Sequence, residues 1–182
     1  MSSNRCGSLE GQEDSQGQEG ASSYLDTNIV SEFMTSPPAP AVRTWLNAQD
    51  AATLHFTTVS IGEISYGLRA MPDGKRRALL TERFERFLAQ AFRSRILVFD
   101  QAAARIYGEL RAARRALGRP MSAFDGQIAA VAVVNSCALA TRNVKDFEAC
   151  GLELINPFGD AGMDQRNTAE SLRPGDPSPA AD

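Results

Sequence analysis

The sequence predicts an α/β fold with a short, mainly parallel sheet, because short apolar segments alternate with longer helical patterns over residues 23–159. An apolar fraction of 43% is enough to bury a core, and 182 residues suit one domain better than two. No stretch approaches the roughly 20 apolar residues of a membrane span. No apolar segment follows a basic start at the N-terminus, so we expect a cytoplasmic protein without a secretory signal or a membrane anchor.

The strand predictions rest on short apolar or β-branched segments that polar residues bound. The Ile-Leu-Val-Phe segment at 96–99 is the clearest of them. The predicted strands are residues 24–25, 53–56, 96–99, 138–140 and 152–155.

The helix predictions rest on apolar residues at helical spacing and on residues that start or stop helices. Pro37-Pro38 stops the first helix, Pro72-Asp73-Gly74 forms a turn, and Ser122 is expected to cap a strongly apolar helix. The predicted helices are residues 29–34, 42–46, 58–71, 75–93, 101–117 and 122–134.

Both ends of the chain are predicted to be disordered tails. Residues 1–22 are rich in Gly, Ser, Gln and Glu, and residues 160–182 have a similar composition, so neither segment buries enough apolar surface to fold. The net charge of −3 is uneven, because each tail carries −3 whereas residues 23–159 hold 16 basic and 13 acidic residues. That balance weakly favours a polyanionic partner, although a solvated charged surface explains it equally well.

Three acids are candidates for a site, and open α/β sheets bind ligands beyond the carboxyl ends of their strands. Asp26 follows the first strand, much as Thr141-Arg142-Asn143 follows the strand at 138–140. Asp125 opens the apolar helix, where the helix dipole alone would also favour an anion. Glu63 lies among apolar or small residues, with no Lys or Arg within a helical turn.

Carboxylates with few basic neighbours repel one another, and a hard divalent cation relieves that repulsion. Ligands that are all oxygen favour Mg²⁺ or Mn²⁺ over zinc or copper. The single histidine, His55, lies in a strand-like run and is interpreted as a packed or edge residue. Cys6, Cys137 and Cys150 follow neither a disulfide nor a metal-ligand spacing, so zinc hydrolysis and nucleophilic triads have little support.

The sequence offers two other interpretations of the first acidic turn. A haloacid-dehalogenase-type phosphatase needs a second Asp two residues after Asp26, where this chain has Asn28. A phosphoaspartate receiver would use Asp100 as its phosphoacceptor, and it requires paired acids after the first strand. The chain also lacks a glycine-rich phosphate loop ending in Gly-Lys.

Five ordered motifs resemble those of PIN domains of the VapC/FitB toxin type. The first is Tyr24-Leu25-Asp26-Thr27-Asn28-Ile29-Val30-Ser31-Glu32, and the second and third are residues 58–67 around Glu63 and residues 122–130 around Asp125. Residues 140–148 and Ile155-Asn156-Pro157-Phe158 are similar to the C-terminal end of the family. The resemblance covers residues 23–159 and implies a three-layer α/β/α sandwich with a short, mainly parallel central sheet.

The resemblance also implies a Mg²⁺-dependent ribonuclease, the toxin of a type II toxin–antitoxin pair. Asp26, Glu63 and Asp125 fall on the acids expected to hold the metal. The fourth acidic position falls on Asn143, and we expect either a weaker fourth ligand or compensation by the nearby Asp146. Thr27 and Thr141 are expected to orient water or substrate phosphate, or else to satisfy their own turns.

The expected partners are an RNA substrate, a small antitoxin protein and a second copy of the chain. Helices 75–93 and 101–117 would supply interaction surfaces or serve as ordinary core helices. A PIN scaffold that binds nucleic acid without cleaving it stays open, as do a receiver domain and a DNA nuclease. The candidates for holding the RNA backbone are Arg111, Arg114, Arg115 and Arg119.

Overall fold

The computed structural model describes residues 22–35 and 37–159. Apart from Ser22, the two predicted tails lie outside these residues, and their disorder stays a prediction. The described residues form five strands and seven α-helices. Within the same residues, no helix combines the length and the apolar character needed to cross a membrane.

The five strands form one parallel sheet in the order β3-β2-β1-β4-β5. The central strand β1 pairs on both sides, and Tyr24 lies opposite His55 on β2 and Leu139 on β4. All residues of β1 and β4 are buried, as expected where helices cover both faces of a parallel sheet. The α/β/α sandwich with a parallel sheet is therefore confirmed. The strands are β1 (Ser23–Leu25), β2 (Leu54–Thr57), β3 (Ile96–Leu97), β4 (Ala138–Ala140) and β5 (Leu154–Ile155).

Polar side chains start three of the helices by accepting hydrogen bonds from backbone N–H groups of the first turn. Thr57 accepts from Ser60 at 3.1 Å, and Ser122 accepts from Asp125 at 3.0 Å. Asp100 accepts from Ala103 at 2.9 Å. The helices are α1 (Thr27–Thr35), α2 (Pro40–Asn47), α3 (Thr58–Ala70), α4 (Lys75–Ala91), α5 (Gln101–Ala116), α6 (Ala123–Val134) and α7 (Val144–Phe147).

Several predicted boundaries were wrong, chiefly at strand ends. The segment 96–99 forms only the two-residue strand β3, because β3 is an edge strand and pairs on one side with β2. Val98 is consequently 57% exposed. Thr53 belongs to a 3-10 turn that Asp50 caps, rather than to β2. Leu152 is buried in the core without joining β5, and the short helix α7 was not predicted.

The sheet order rules out the receiver interpretation. Receiver domains have the order 2-1-3-4-5, whereas this sheet has the order 3-2-1-4-5. The Asp100 carboxylate, the proposed phosphoacceptor, instead caps α5. The order also places the change in winding direction between β1 and β4, and the crevice at that point is where open α/β sheets bind ligands.

Gly126 allows α5 to pack closely against the first turn of α6. A Cβ atom on this residue would lie 2.9 Å from Tyr107 Cε2 and 3.1 Å from Arg111 Cγ. Contacts this short require a neighbour to move, and the Tyr107 ring is itself held edge-on to Phe99. A glycine here therefore sets the position of the helix start that carries Asp125.

Candidate active site

The predicted site forms where β1 and β4 end side by side. Asp26 directly follows β1, and its backbone N–H donates to the carbonyl of Ala140, the last residue of β4, at 3.0 Å. Thr141 directly follows β4 and is fully buried. The strand pairing therefore brings together two side chains that are 115 positions apart in the sequence.

Asp26 is buried, and three neighbours donate hydrogen bonds to its carboxylate. Oδ1 accepts from the backbone N–H of Thr27 at 2.6 Å. Oδ2 accepts from Asn28 Nδ2 and from Thr141 Oγ1, each at 2.6 Å. A buried carboxylate needs such donors because it has lost its water. Thr141 thus holds Asp26 from behind, and it does not line the open cleft.

Glu63 is half-buried on α3, and Thr27 connects it to the start of α1. The Thr27 hydroxyl donates to Glu63 Oε2 at 2.8 Å. A cluster of buried hydroxyl groups fixes the first turn of α3, where Tyr24 Oη is hydrogen-bonded to Ser60 Oγ and, at 3.2 Å, to Thr57 Oγ1. Because Ser60 precedes Glu63 by three residues on the helix, this cluster also sets the position of the carboxylate.

Asp125 is half-buried at the third position of α6 and takes part in the cap of that helix. The Ser122 hydroxyl donates to Asp125 Oδ2 at 2.6 Å, while its oxygen accepts from the Asp125 backbone N–H. Ser122 therefore caps the helix through its hydroxyl oxygen and at the same time holds the Asp125 carboxylate through its hydroxyl proton. The carboxylate also lines the cleft. The capping role and the site role are therefore compatible in this structure.

One cleft of about 410 Å³ collects the predicted residues except Thr141. Glu32 from α1 adds a fourth carboxylate, which sequence reasoning missed even though its i+4 spacing from Asn28 places it on the same helix face. Asn28 and Arg142 were likewise not predicted as site residues. The lining residues are Asp26, Thr27, Asn28, Ser31, Glu32, Glu63, Asp125, Arg142 and Asn143.

Burial and repulsion between carboxylates raise the pKa of Asp26 and of Glu63, which favours the protonated form of both groups. Burial raises the pKa of Asp26 to about 6 against the hydrogen bonds from Thr141 and Thr27, and the negative charges of Glu63 and Asp125 add to the rise. Burial also raises the pKa of Glu63, with Asp125 contributing, while the Thr27 hydrogen bond opposes the shift. A cation in the cleft would reverse these shifts.

The chemistry of the cleft fits a hard divalent ion, since its acidic donors are all carboxylate oxygens that repel one another. In the present side-chain arrangement, however, no three Asp, Glu, His or Cys side chains among the described residues stand close enough to share one ion. The Asp26 oxygens are instead occupied by hydrogen bonds. Binding by all three acids therefore requires side-chain adjustment within the cleft.

The remaining predicted positions divide between the cleft and the outer surface. Asn143 is exposed at the cleft, whereas Asp146 is exposed on α7 and does not line it. Arg114 was wrongly predicted as an RNA contact, because it is 3% exposed and donates to the backbone carbonyl of Glu148. His55 lies in β2 away from the cleft, and burial and Arg95 lower its pKa.

Comparison with known protein families matches residues 23–150 to the PIN domain. The chain belongs to the PIN-domain family. VapC ribonuclease Y4jK of Sinorhizobium fredii is 41% identical to this PIN domain over 134 residues, which cover 74% of this chain and 96% of the relative. Toxin FitB of Neisseria gonorrhoeae is 33% identical over 136 residues, which cover 75% of this chain and 98% of the toxin.

A solved structure, that of FitAcB from Neisseria gonorrhoeae, matches this PIN domain with a TM-score of 0.69 and 32% sequence identity. The match covers 74% of this chain and 97% of the solved chain. Together with the two relatives, it confirms the resemblance to PIN toxins of the VapC/FitB type.

Proposed function

We propose that this PIN domain is a Mg²⁺-dependent endoribonuclease that hydrolyses RNA phosphodiester bonds and acts as the toxin of a toxin–antitoxin pair. The observation that carries the proposal is that Asp26, Glu63 and Asp125 converge on one cleft at the switch point of the sheet. The similarity to a relative named as a VapC ribonuclease supports the choice of RNA as substrate.

In the proposed mechanism Asp26 and Asp125 would hold Mg²⁺, or Mn²⁺ in its place, and Glu63 would join them directly or through water. The bound ion would supply an activated water and neutralise charge on the phosphodiester. Thr141 favours the ionised form of Asp26, which is the form that binds a cation. Thr27 orients Glu63, and the amide of Asn143 offers a weaker fourth ligand at the rim.

An antitoxin partner is supported by an apolar groove that adjoins the cleft. The groove has a volume of about 210 Å³ and shares Thr27, Ser31 and Glu63 with the cleft. Its apolar lining suits the apolar face of an amphipathic segment, which would lie beside the acids and cover them. The apolar lining residues are Met34, Ile64, Leu68, Met71 and Leu80.

The proposal includes a homodimer in the cytoplasm, where RNA and a newly made antitoxin both occur. Exposed leucines on or beside the two long helices, Leu79 on α4 and Leu117 after α5, support a further interface. The same helices also serve the core, since Leu80 and Phe84 of α4 are buried. Light scattering on the purified protein measures whether two copies associate.

The decisive experiment follows end-labelled single-stranded RNA and DNA during incubation with the purified protein. The proposal expects cleavage of RNA with Mg²⁺ or Mn²⁺ and none with EDTA. Binding of RNA without cleavage under all conditions would instead identify a PIN scaffold that binds nucleic acid without cleaving it. The neutral Asn143 at the fourth acidic position would explain that result. Cleavage of DNA in preference to RNA would show that the proposed substrate is wrong, while the proposed catalytic site would still stand.

A further inference from the structure

Arg142 is held over the cleft by two residues from distant parts of the chain. Its Nη2 donates to Glu32 Oε2 at 3.0 Å, and its Cζ lies 3.8 Å from the centre of the Phe158 ring. The Arg142 backbone N–H donates to Asn28 Oδ1 at 3.2 Å, so the main chain is tied to α1 as well. The guanidinium therefore has a defined plane and position.

The contact with Phe158 suggests a role for the Ile155-Asn156-Pro157-Phe158 motif. The carboxylates of the cleft do not by themselves explain this motif. Asn156 Oδ1 accepts from the backbone N–H of Phe158 at 3.0 Å, which fixes the turn after β5. The ring then packs partly against the core and partly under the Arg142 guanidinium. A planar guanidinium on an aromatic face keeps its edge available for hydrogen bonding.

Arg142 is the one lining side chain of the cleft whose own charge favours an anionic ligand. Among the described residues that line the cleft, four are acidic and Arg142 is the one basic side chain. The Arg142 side chain is 51% exposed, so it keeps contact with solvent while paired with Glu32. A guanidinium carries five N–H donors, and the bond to Glu32 leaves donors for another acceptor.

We propose that Arg142 binds a phosphate oxygen of the RNA next to the bond that is cleaved, with Phe158 fixing its plane and Glu32 keeping it over the cleft. The inference rests on the proposed function and adds a substrate-positioning residue to it. Arginine suits this task because its fork matches two phosphate oxygens at once. An ordinary exposed ion pair would stabilise the fold little and needs no aromatic support.

The test measures RNA binding separately from cleavage. In an Asp125→Asn background with EDTA, fluorescence anisotropy follows a short labelled single-stranded RNA over a series of salt concentrations. Adding Arg142→Ala is expected to weaken binding on the order of tenfold. It is also expected to reduce the slope of log affinity against log salt by about 0.7, as for one lost phosphate contact to a single strand.

Two further variants separate the phosphate contact from a general loss of positive charge. Arg142→Lys is expected to restore the salt slope but only part of the affinity, since an ammonium is a point charge. Arg86→Ala is the matched control, because Arg86 is an exposed arginine paired with Glu82 and lies outside the cleft. It is expected to leave affinity and slope at the parent values.

Affinity and salt slope that stay at the parent values in Arg142→Ala would overturn the inference. A lower melting temperature with an unchanged salt slope would assign Arg142 a structural role and overturn it too. If Arg142→Ala fails to fold, Arg142→Gln carries the same comparison, because it removes the positive charge and keeps a longer polar side chain. Failure of the wild-type protein to cleave RNA would overturn the proposed function, and the binding measurement would then test only the contact between Arg142 and an RNA phosphate.

Discussion

Thr141 Oγ1 donates a 2.6 Å hydrogen bond to Asp26 Oδ2, and the two residues directly follow the adjacent parallel strands β4 and β1. This bond opposes the effect of burial on Asp26, because it stabilises the charged carboxylate. The buried threonine thus acts on the cleft through Asp26, without lining the cleft itself.

Replacing Thr141 by Val is expected to raise the pKa of Asp26 further, because the hydroxyl donor is lost. The acidic limb of the pH–rate profile for RNA cleavage should therefore move to higher pH. Unfolding free energy should fall by about 1–2 kcal/mol, as for a lost buried hydrogen bond. Thr141→Ser keeps the donor and should retain the wild-type profile; an identical profile in the valine variant would contradict the role given to Thr141.

The stability of the metal-free protein is expected to fall as pH rises. The pKa of Asp26 is about 6 in the folded protein against an ordinary value of 3.8, so the folded state holds its proton to higher pH than the unfolded state does. The free energy of unfolding therefore decreases between about pH 4 and pH 6, and Glu63 contributes in the same direction.

Urea unfolding in EDTA across this pH range, compared between wild type and Asp26→Asn, measures the effect. The variant lacks the titrating group and should show a shallower dependence on pH than the wild type. Equal slopes in the two proteins would show that Asp26 titrates normally in the folded state.

Asp125→Asn is expected to reduce Mg²⁺-dependent RNA cleavage by more than about 100-fold, because a proposed metal ligand that supplies several kcal/mol is lost. The fold should survive, since the amide oxygen can still accept from Ser122. Gel assays measure the loss of RNA cleavage, and circular dichroism measures whether the fold survives. Asp73→Asn is the matched control, because Asp73 is an exposed acid paired with Arg77 outside the cleft.

Asn143→Asp is expected to lower the Mg²⁺ concentration that gives half-maximal cleavage, because a charged oxygen replaces a neutral one at the cleft. Asp146→Asn should leave that concentration unchanged, since Asp146 lies outside the cleft. Cleavage measured over a Mg²⁺ titration compares the two variants. A higher Mg²⁺ requirement in Asp146→Asn would mean that Asp146 does compensate for Asn143.

Gly126→Ala is expected to destabilise the protein by about 1–3 kcal/mol, because the new methyl group meets the Tyr107 ring. Gly108→Ala provides the control within α5, where a Cβ meets nothing within 4 Å. That variant should be neutral or gain up to about 1 kcal/mol from helix propensity. Thermal unfolding of both proteins tests the difference, and equal melting temperatures would argue against close packing at Gly126.

The order of helices and strands could be predicted because each element carries its own local pattern. The ends of the strands could not be predicted, because the pairing of one strand with the next depends on residues that are remote in sequence. Val98 is as apolar as Ile96, yet β3 lies at the sheet edge and ends before Val98. The sequence pattern predicts a strand at Leu152, but this residue is buried by packing in the core and belongs to no strand.

The three acids could be predicted from motifs, but the contacts between motifs could not. Glu32 and Arg142 are 110 positions apart, and each alone resembles an ordinary surface charge. The prediction that Arg114 contacts RNA was wrong for a related reason. Its partner is the backbone carbonyl of Glu148, and a bond to a backbone carbonyl leaves no pattern of side chains in the sequence. The sequence therefore predicted which acids line one cleft, but it did not predict the hydrogen bonds and ion pairs that connect distant segments.

The pairing of β1 with β4 has a consequence for protein synthesis. Of the strands in the described residues, β1 is translated first and lies at the centre of the sheet, while its partner β4 emerges much later. A nascent chain that has not reached β4 lacks Arg142 and Asn143, which line the cleft, and Thr141, which holds Asp26 in place. Under the proposed function, the growing polypeptide therefore cannot assemble its RNA-cleaving site until nearly the whole domain has been made.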